Sequence, residues 1–212
     1  MPPLGGTAEH WDSAYAQGER TRSWFQEYPG ASLRMLDAAG VTSQDSVLDI
    51  GGGASLLTDS LLERGHIDLN VLDVSAAALR IIQRRLGPTE QVQWILADLL
   101  TWNPQRTYAA WHDRAVFHFI TAERDKLRYL TILNTATKPG SVAILGCFAP
   151  DGPQSCSGLP VARYSTADLT TTLGDDWTLV ATEREEHHTP TGGVQPFTWA
   201  AFRHQPNGQP GP

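Results

Sequence analysis

The chain lacks most of what would place it outside the cell or in a membrane. Cysteine occurs only twice in 212 residues, at Cys147 and Cys156. That is too few for a disulfide framework, so both are expected as free thiols. No apolar run reaches the ~18 residues of a membrane-spanning helix. The first residues, Met1 to Gly6, lack the basic start and apolar core of a secretory signal. The expected compartment is therefore the cytoplasm, with no membrane partner. Positive charge is also scarce: Lys and Arg total 16 against 23 Asp and Glu, a formal net charge of −7. A broad nucleic-acid surface draws on clustered cations, so nucleic acid is not an expected partner. No internal repeat occurs, and the length suits one domain with a full core.

What is present centres on residues 46–55. Val47–Ile50 is a short apolar run that reads as a buried parallel strand. Gly51, Gly52 and Gly53 follow, and then Leu56–Glu63 spaces its apolar residues as a helix does. Strand, glycine turn and helix open a βαβ unit, and the free amides at the helix start face a ligand. Asp49 closes the first strand. Asp73 ends a second strand, residues 68–74, about twenty residues past the glycines, where a carboxylate accepts hydrogen bonds from ribose hydroxyls. Asp98 follows a third strand, residues 92–97. A nicotinamide enzyme is the nearest competitor, but it needs a third glycine where Leu56 stands.

Residues Leu48–Ser55, Val71–Ser75, Ala97–Asp98 and Lys138–Gly140 together resemble the class I S-adenosylmethionine-dependent methyltransferases. The resemblance runs from about Trp11 to Arg203. It implies an α/β, Rossmann-like fold with a seven-stranded, mostly parallel sheet and helices on both faces. It also implies S-adenosylmethionine as cofactor. By resemblance Asp49, Gly51, Gly52, Gly53 and Ser55 hold the methionine part, Asp73 and Val74 the ribose, and Asp98 and Leu99 the adenine. Ser55 stands where many members have another glycine. The acidic surroundings suit a positively charged sulfur.

The remaining candidates concern the methyl acceptor. Trp11, Tyr15, Trp24 and Phe25 crowd the segment before residue 30, after a lead over residues 1–8 that is expected to be disordered. The aromatic segment is either a helix packed on the domain or a lid over the site. As a lid it offers Tyr15 and Trp24 to the acceptor. The fourth strand is expected over residues 108–112, with Asp113, Arg114 and His118 beyond its end as catalytic candidates. Arg114 either pairs with Asp113 or a helix end or serves the site, and His118 is either a core residue or a proton acceptor. This stretch, with Arg124 and Tyr129, resembles the thiopurine-type methyltransferases. The Asn/Asp-Pro-Pro-Tyr motif of nucleic-acid amino methyltransferases does not occur.

Residues 149–164, rich in Pro and Gly, read as an irregular loop that offers Arg163, Tyr164 and Cys156 to the acceptor. His187 and His188 are expected in a turn between two final antiparallel strands. They, together with His112 and His118, are weighed for a metal, as is Cys156, around which no second Cys or His has ligand spacing, and no metal site is assigned. The division expected is a lid segment over 1–30, a methyltransferase domain over 31–204 and a disordered tail over 205–212. The acceptor expected is a small molecule, with a soft nucleophile such as a thiol foremost. The rivals are a protein lysine methyltransferase, which the N-terminal segment also resembles, and a non-catalytic cofactor-binding protein.

Overall fold

A computed structural model describes residues 6–16 and 18–205. Seven strands form one sheet in the order β3-β2-β1-β4-β5-β9-β8. The first five are parallel: β1 (Val47–Ile50), β2 (Leu69–Asp73), β3 (Val92–Leu96), β4 (Ala110–Arg114) and β5 (Val142–Phe148). The last two, β8 (Trp177–His188) and β9 (Val194–His204), are antiparallel to their neighbours. The chain order reverses between β1 and β4, which opens a crevice at the carboxyl ends of these strands. Among the described residues no helix is long and apolar enough to cross a membrane.

Side-chain alternation divides the core into two layers. Val47, Ala110, Ile144 and Trp199 join α2 (Gly30–Ala38) and α3 (Leu57–Glu63) on one face. Leu48, Trp111, Leu145 and Ala200 join α5 (Glu123–Ala136) and α6 (Thr166–Leu173) on the other. Successive residues of one strand thus serve opposite layers, as a two-residue period requires. Each fully buried large apolar side chain contributes about 1.5–3 kcal/mol. α4 (Ala76–Leu86) begins at Ser75, whose hydroxyl accepts from the Ala78 N–H.

Four expectations are corrected. The lead ends early, because α1 (Ala8–Ala16) already begins at Ala8. Residues 1–5 lie outside the described part, and so does the tail from residue 206. β4 runs two residues beyond His112, because Asp113 and Arg114 continue the pairing with Leu145 and Gly146. The Pro- and Gly-rich loop holds a small hairpin, β6 (Ser155–Cys156) and β7 (Leu159–Pro160), turned by Ser157 and Gly158 with positive φ. His187 and His188 lie on β8, paired with Gln195 and Val194, not in the turn.

Candidate active site

The glycine turn after β1 makes the floor of a cavity. Gly51 has φ +61°, and a side chain there would run into Val116. Gly52 lies against Asp49 and Val71, which leaves no room for a Cβ either. Asp73 closes β2 beside this turn. Its Oδ1 accepts from Ser75 N–H at 2.7 Å, and Gly53 N–H also donates to its carboxylate. Burial pushes its pKa up to about 7, against the pull of these backbone donors. Asp98 projects after β3, its Oδ1 held by Leu100 N–H at 2.9 Å. Ser55 Oγ accepts from the N–H of Leu57, the first residue of α3.

The cavity encloses ≈ 320 Å³. Its β1–β3 side is formed by Asp49, Gly51, Gly52, Ser55, Asp73, Val74, Asp98 and Leu99. Gly53 stands just behind this wall, under the Tyr15 hydroxyl. All nine cofactor candidates therefore gather at one place. Its other side is aromatic, with Trp11 between Trp24 and Phe119 at centroid distances of 5.7 and 5.3 Å.

The N-terminal segment forms the roof and is tied down at several points. Asp12 accepts from Ser75 Oγ and from Ala77 N–H, at the start of α4. His10 bonds Ser157 of the hairpin at 3.2 Å. His187 donates to the Ser23 carbonyl at 2.7 Å, and Gln26 donates to Glu185 at 2.6 Å. Tyr15 and Trp24 both reach the cavity.

The catalytic candidates separate by strand alternation. Arg114 points to the cavity face, while Asp113 points to the opposite layer. Asp113 is fully buried and accepts from Val116 N–H, Phe117 N–H and the Tyr129 hydroxyl. Burial raises its pKa to about 6. It holds the exit of β4, where Ala115 takes φ +67°, and so acts on the site only through that turn.

His118 likewise lies off the cavity wall. It is packed between Phe119 and Phe148, and burial lowers its pKa to about 3. Tyr164 packs against Phe117 with the rings tilted by 33°, and Arg163 donates to the Gly152 carbonyl; neither lines the cavity. Cys156 does line it, with its thiol pushed up to about 11 by burial.

Arg114 is the cavity's buried cation. Its Nη1 donates to the Trp24 carbonyl at 2.9 Å, while Nε and Nη2 have no partner. The guanidinium lies 5.0 Å over the Phe197 ring, and burial lowers its pKa. The nearby Glu185 is already engaged by Gln26 and by Trp199 Nε1.

Glu185 and Trp199 escaped the sequence reading, which considers His112 only in relation to a metal. His112 meets Asp49 at 2.7 Å. The Trp199 indole lies in the space left by the missing side chain of Gly146. The available signal was the alternation of residues 110, 112 and 114, hidden by ending β4 too early.

A family model described as a methyltransferase domain matches residues 47–140. Malonyl-[acyl-carrier protein] O-methyltransferase 2 of Ilyobacter polytropus is 24% identical over 187 residues, 81% of this chain and 70% of that one. The chain is a class I S-adenosylmethionine-dependent methyltransferase. The EEF1A lysine methyltransferase 2 of Danio rerio is 26% identical over 163 residues, 68% of this methyltransferase and 69% of that protein. The fold matches that of the protein solved in work on conversion of a disulfide bond into a thioacetal group during echinomycin biosynthesis. There the TM-score is 0.72 at 20% identity, over 95% of this chain and 94% of that one. It also matches the Burkholderia thailandensis 1,6-didemethyltoxoflavin-N1-methyltransferase, solved with S-adenosylhomocysteine. The TM-score is 0.68 at 18% identity, over 93% of this chain and 87% of that one.

The residues fit S-adenosylmethionine. The methyltransferase keeps side chains off Gly51 and Gly52, sets a buried carboxylate at the end of β2, and leaves Glu19 Oε2 unpartnered in the roof. Acidic groups around a sulfonium and an ammonium stabilise both. Leu99 and Val74 supply apolar walls.

Proposed function

We propose that the enzyme methylates a small acceptor without positive charge, a thiol or similar soft nucleophile first among them. The observation that carries this reading is Arg114, a buried guanidinium with two unpartnered nitrogens in an aromatic chamber. A buried charge is retained where something pairs with it. An anionic or electron-rich acceptor does so, whereas a lysine ammonium ~5 Å away is opposed by about 3 kcal/mol at an effective dielectric of ~20. The fold likeness to the protein of echinomycin biosynthesis, where a disulfide bond becomes a thioacetal group, adds support for sulfur.

A second reading is transfer to a protein lysine. A groove lined by Glu27, Glu185, Glu186, Phe25 and Tyr28 suits a cationic side chain, and one relative is named a lysine methyltransferase. Arg114, which lines the cavity and interacts electrostatically with Glu185 of that groove, weighs against it.

The cofactor brings an activated methyl group and its own leaving group. The chain's work is alignment and exclusion of water. Asp73 would hold the ribose and the glycine turn the methionine part, while Trp11, Trp24 and Phe119 supply apolar walls that keep water out. The test is release of S-adenosylhomocysteine against thiols, phenols, amines and halides, beside labelling of lysate proteins. Turnover of an uncharged or anionic small nucleophile supports the reading. Labelled proteins with no small-molecule turnover overturn it, and cofactor binding without any transfer identifies a non-catalytic binder.

A further inference from the structure

β1 and β4 are adjacent parallel strands whose register sets Asp49 against His112. Both side chains leave the same face of the sheet, so the register itself brings carboxylate and imidazole together. The Nδ1···Oδ1 distance is 2.7 Å, and the residues are 2% and 5% exposed. A buried carboxylate accepts from Nδ1–H, which leaves Nε2 with a bare lone pair. That Nε2 has no hydrogen-bond partner, and His112 forms part of the cavity wall. The Trp199 indole, 5.9 Å away and tilted by 31°, packs against the ring from β9. His118 makes the contrast: both its nitrogens lack partners, but no carboxylate orients it and it stands off the cavity.

We propose that His112, oriented by Asp49, is the base that takes the acceptor's proton. This rests on the small-molecule reading above. The proton passes from the acceptor's S–H, O–H or N–H to Nε2. The lone pair thus freed forms the bond to the methyl carbon. The bond from that carbon to the sulfonium breaks, and its electron pair stays on sulfur, giving a neutral thioether. Asp49 and the indole face stabilise the imidazolium until it loses the proton to solvent. Asp113 interacts electrostatically with His112 and Asp73 with Asp49, while Arg114 on the same strand interacts with Asp49, Glu185 on β8, Cys156 in the hairpin and Tyr15 in α1. Arg114 opposes the imidazolium, and Glu185 offsets Arg114.

The first readout needs no acceptor. Long-range nitrogen-15 NMR of the full chain with S-adenosylhomocysteine, assigned with His112→Asn, is expected to show Nδ1 protonated and Nε2 bare near neutral pH. Asp49→Asn is expected to abolish that preference. An Nε2–H tautomer, or an imidazolium persisting to about pH 9, overturns the proposal.

The second readout uses two thiol probes: thiophenol, largely ionised at neutral pH, and benzyl mercaptan, largely not. His112→Asn is expected to slow benzyl mercaptan about 10²- to 10⁴-fold and thiophenol by less than about ten-fold. S-adenosylhomocysteine affinity stays level. Equal losses on both thiols overturn the base role. Failure of both thiols in the native enzyme counts against the thiol acceptor, and the tautomer then decides the base.

Discussion

Replacing Asp73 by Asn is expected to stabilise the empty enzyme while weakening its hold on the cofactor. Asp73 is 6% exposed, and burial lifts its pKa from 3.8 to about 7. At ~1.4 kcal/mol per pH unit, that rise corresponds to a ceiling of about 4 kcal/mol. The sign follows from proton binding. Between the unfolded value and about pH 7 the folded chain keeps a proton that the unfolded chain has released. Stability is therefore lost progressively as pH rises through this window, and the full cost applies above it. Asn keeps an oxygen for Ser75 N–H and removes the charge.

Thermal melts of the cofactor-free variant should match the native protein near pH 4 and exceed it increasingly toward pH 8. Each kcal/mol is worth about 2–4 °C in a chain of this size. Calorimetry with S-adenosylhomocysteine should show a loss of about 1–3 kcal/mol, because the ribose hydroxyls lose a charged acceptor. In the native protein affinity should fall below about pH 7, where Asp73 takes up its proton. A stability difference that ignores pH, or unchanged affinity in the variant, refutes the reasoning.

Two further outcomes follow from packing. Gly146→Ala places a methyl group 2.8 Å from the Trp199 indole. It should cost about 1–3 kcal/mol in urea melts and move Trp199 fluorescence, with partial rescue by Trp199→Phe; a neutral effect denies the close approach. His118→Phe removes a histidine whose pKa burial lowers to about 3. The native chain loses stability as pH falls from about 6.5, because only the unfolded histidine then takes a proton. The variant should lose less over that window and keep its turnover. An unchanged acid profile contradicts the burial, and lost turnover would return His118 to the chemistry.

The cofactor side was legible because its signals are local. A strand end, three glycines and a carboxylate at fixed spacing lie within one βαβ unit, and Asp49, Asp73 and Asp98 all reach the cavity. The acceptor side was only partly legible, because its residues meet through pairing between distant strands. Asp113 and Arg114 look equivalent along the chain, yet alternation sends them to opposite faces once β4 extends through residue 114. Arg163 and Tyr164 sit in the segment expected to meet the acceptor, but Tyr164 turns inward onto Phe117. His187 was assigned to a turn because the Thr189–Gly193 stretch reads as one. β8 extends to His188 and carries His187 under the N-terminal roof. Glu185 and Trp199 matter only through long-range neighbours, which no local pattern encodes.

The two sides of the chamber come from different kinds of chain. Asp49, Gly51, Asp73 and Asp98 belong to the strand ends and turns that also organise the sheet. Trp11, Trp24 and Cys156 come from the N-terminal strap and the small hairpin, which His10 and Ser157 fasten to each other. Evolution could exchange this pair of add-ons as a cassette and change what is methylated without disturbing how the donor is held. Relatives that differ in acceptor should therefore diverge fastest in these two segments, and chimeras that swap both together should transfer preference better than chimeras that swap either alone.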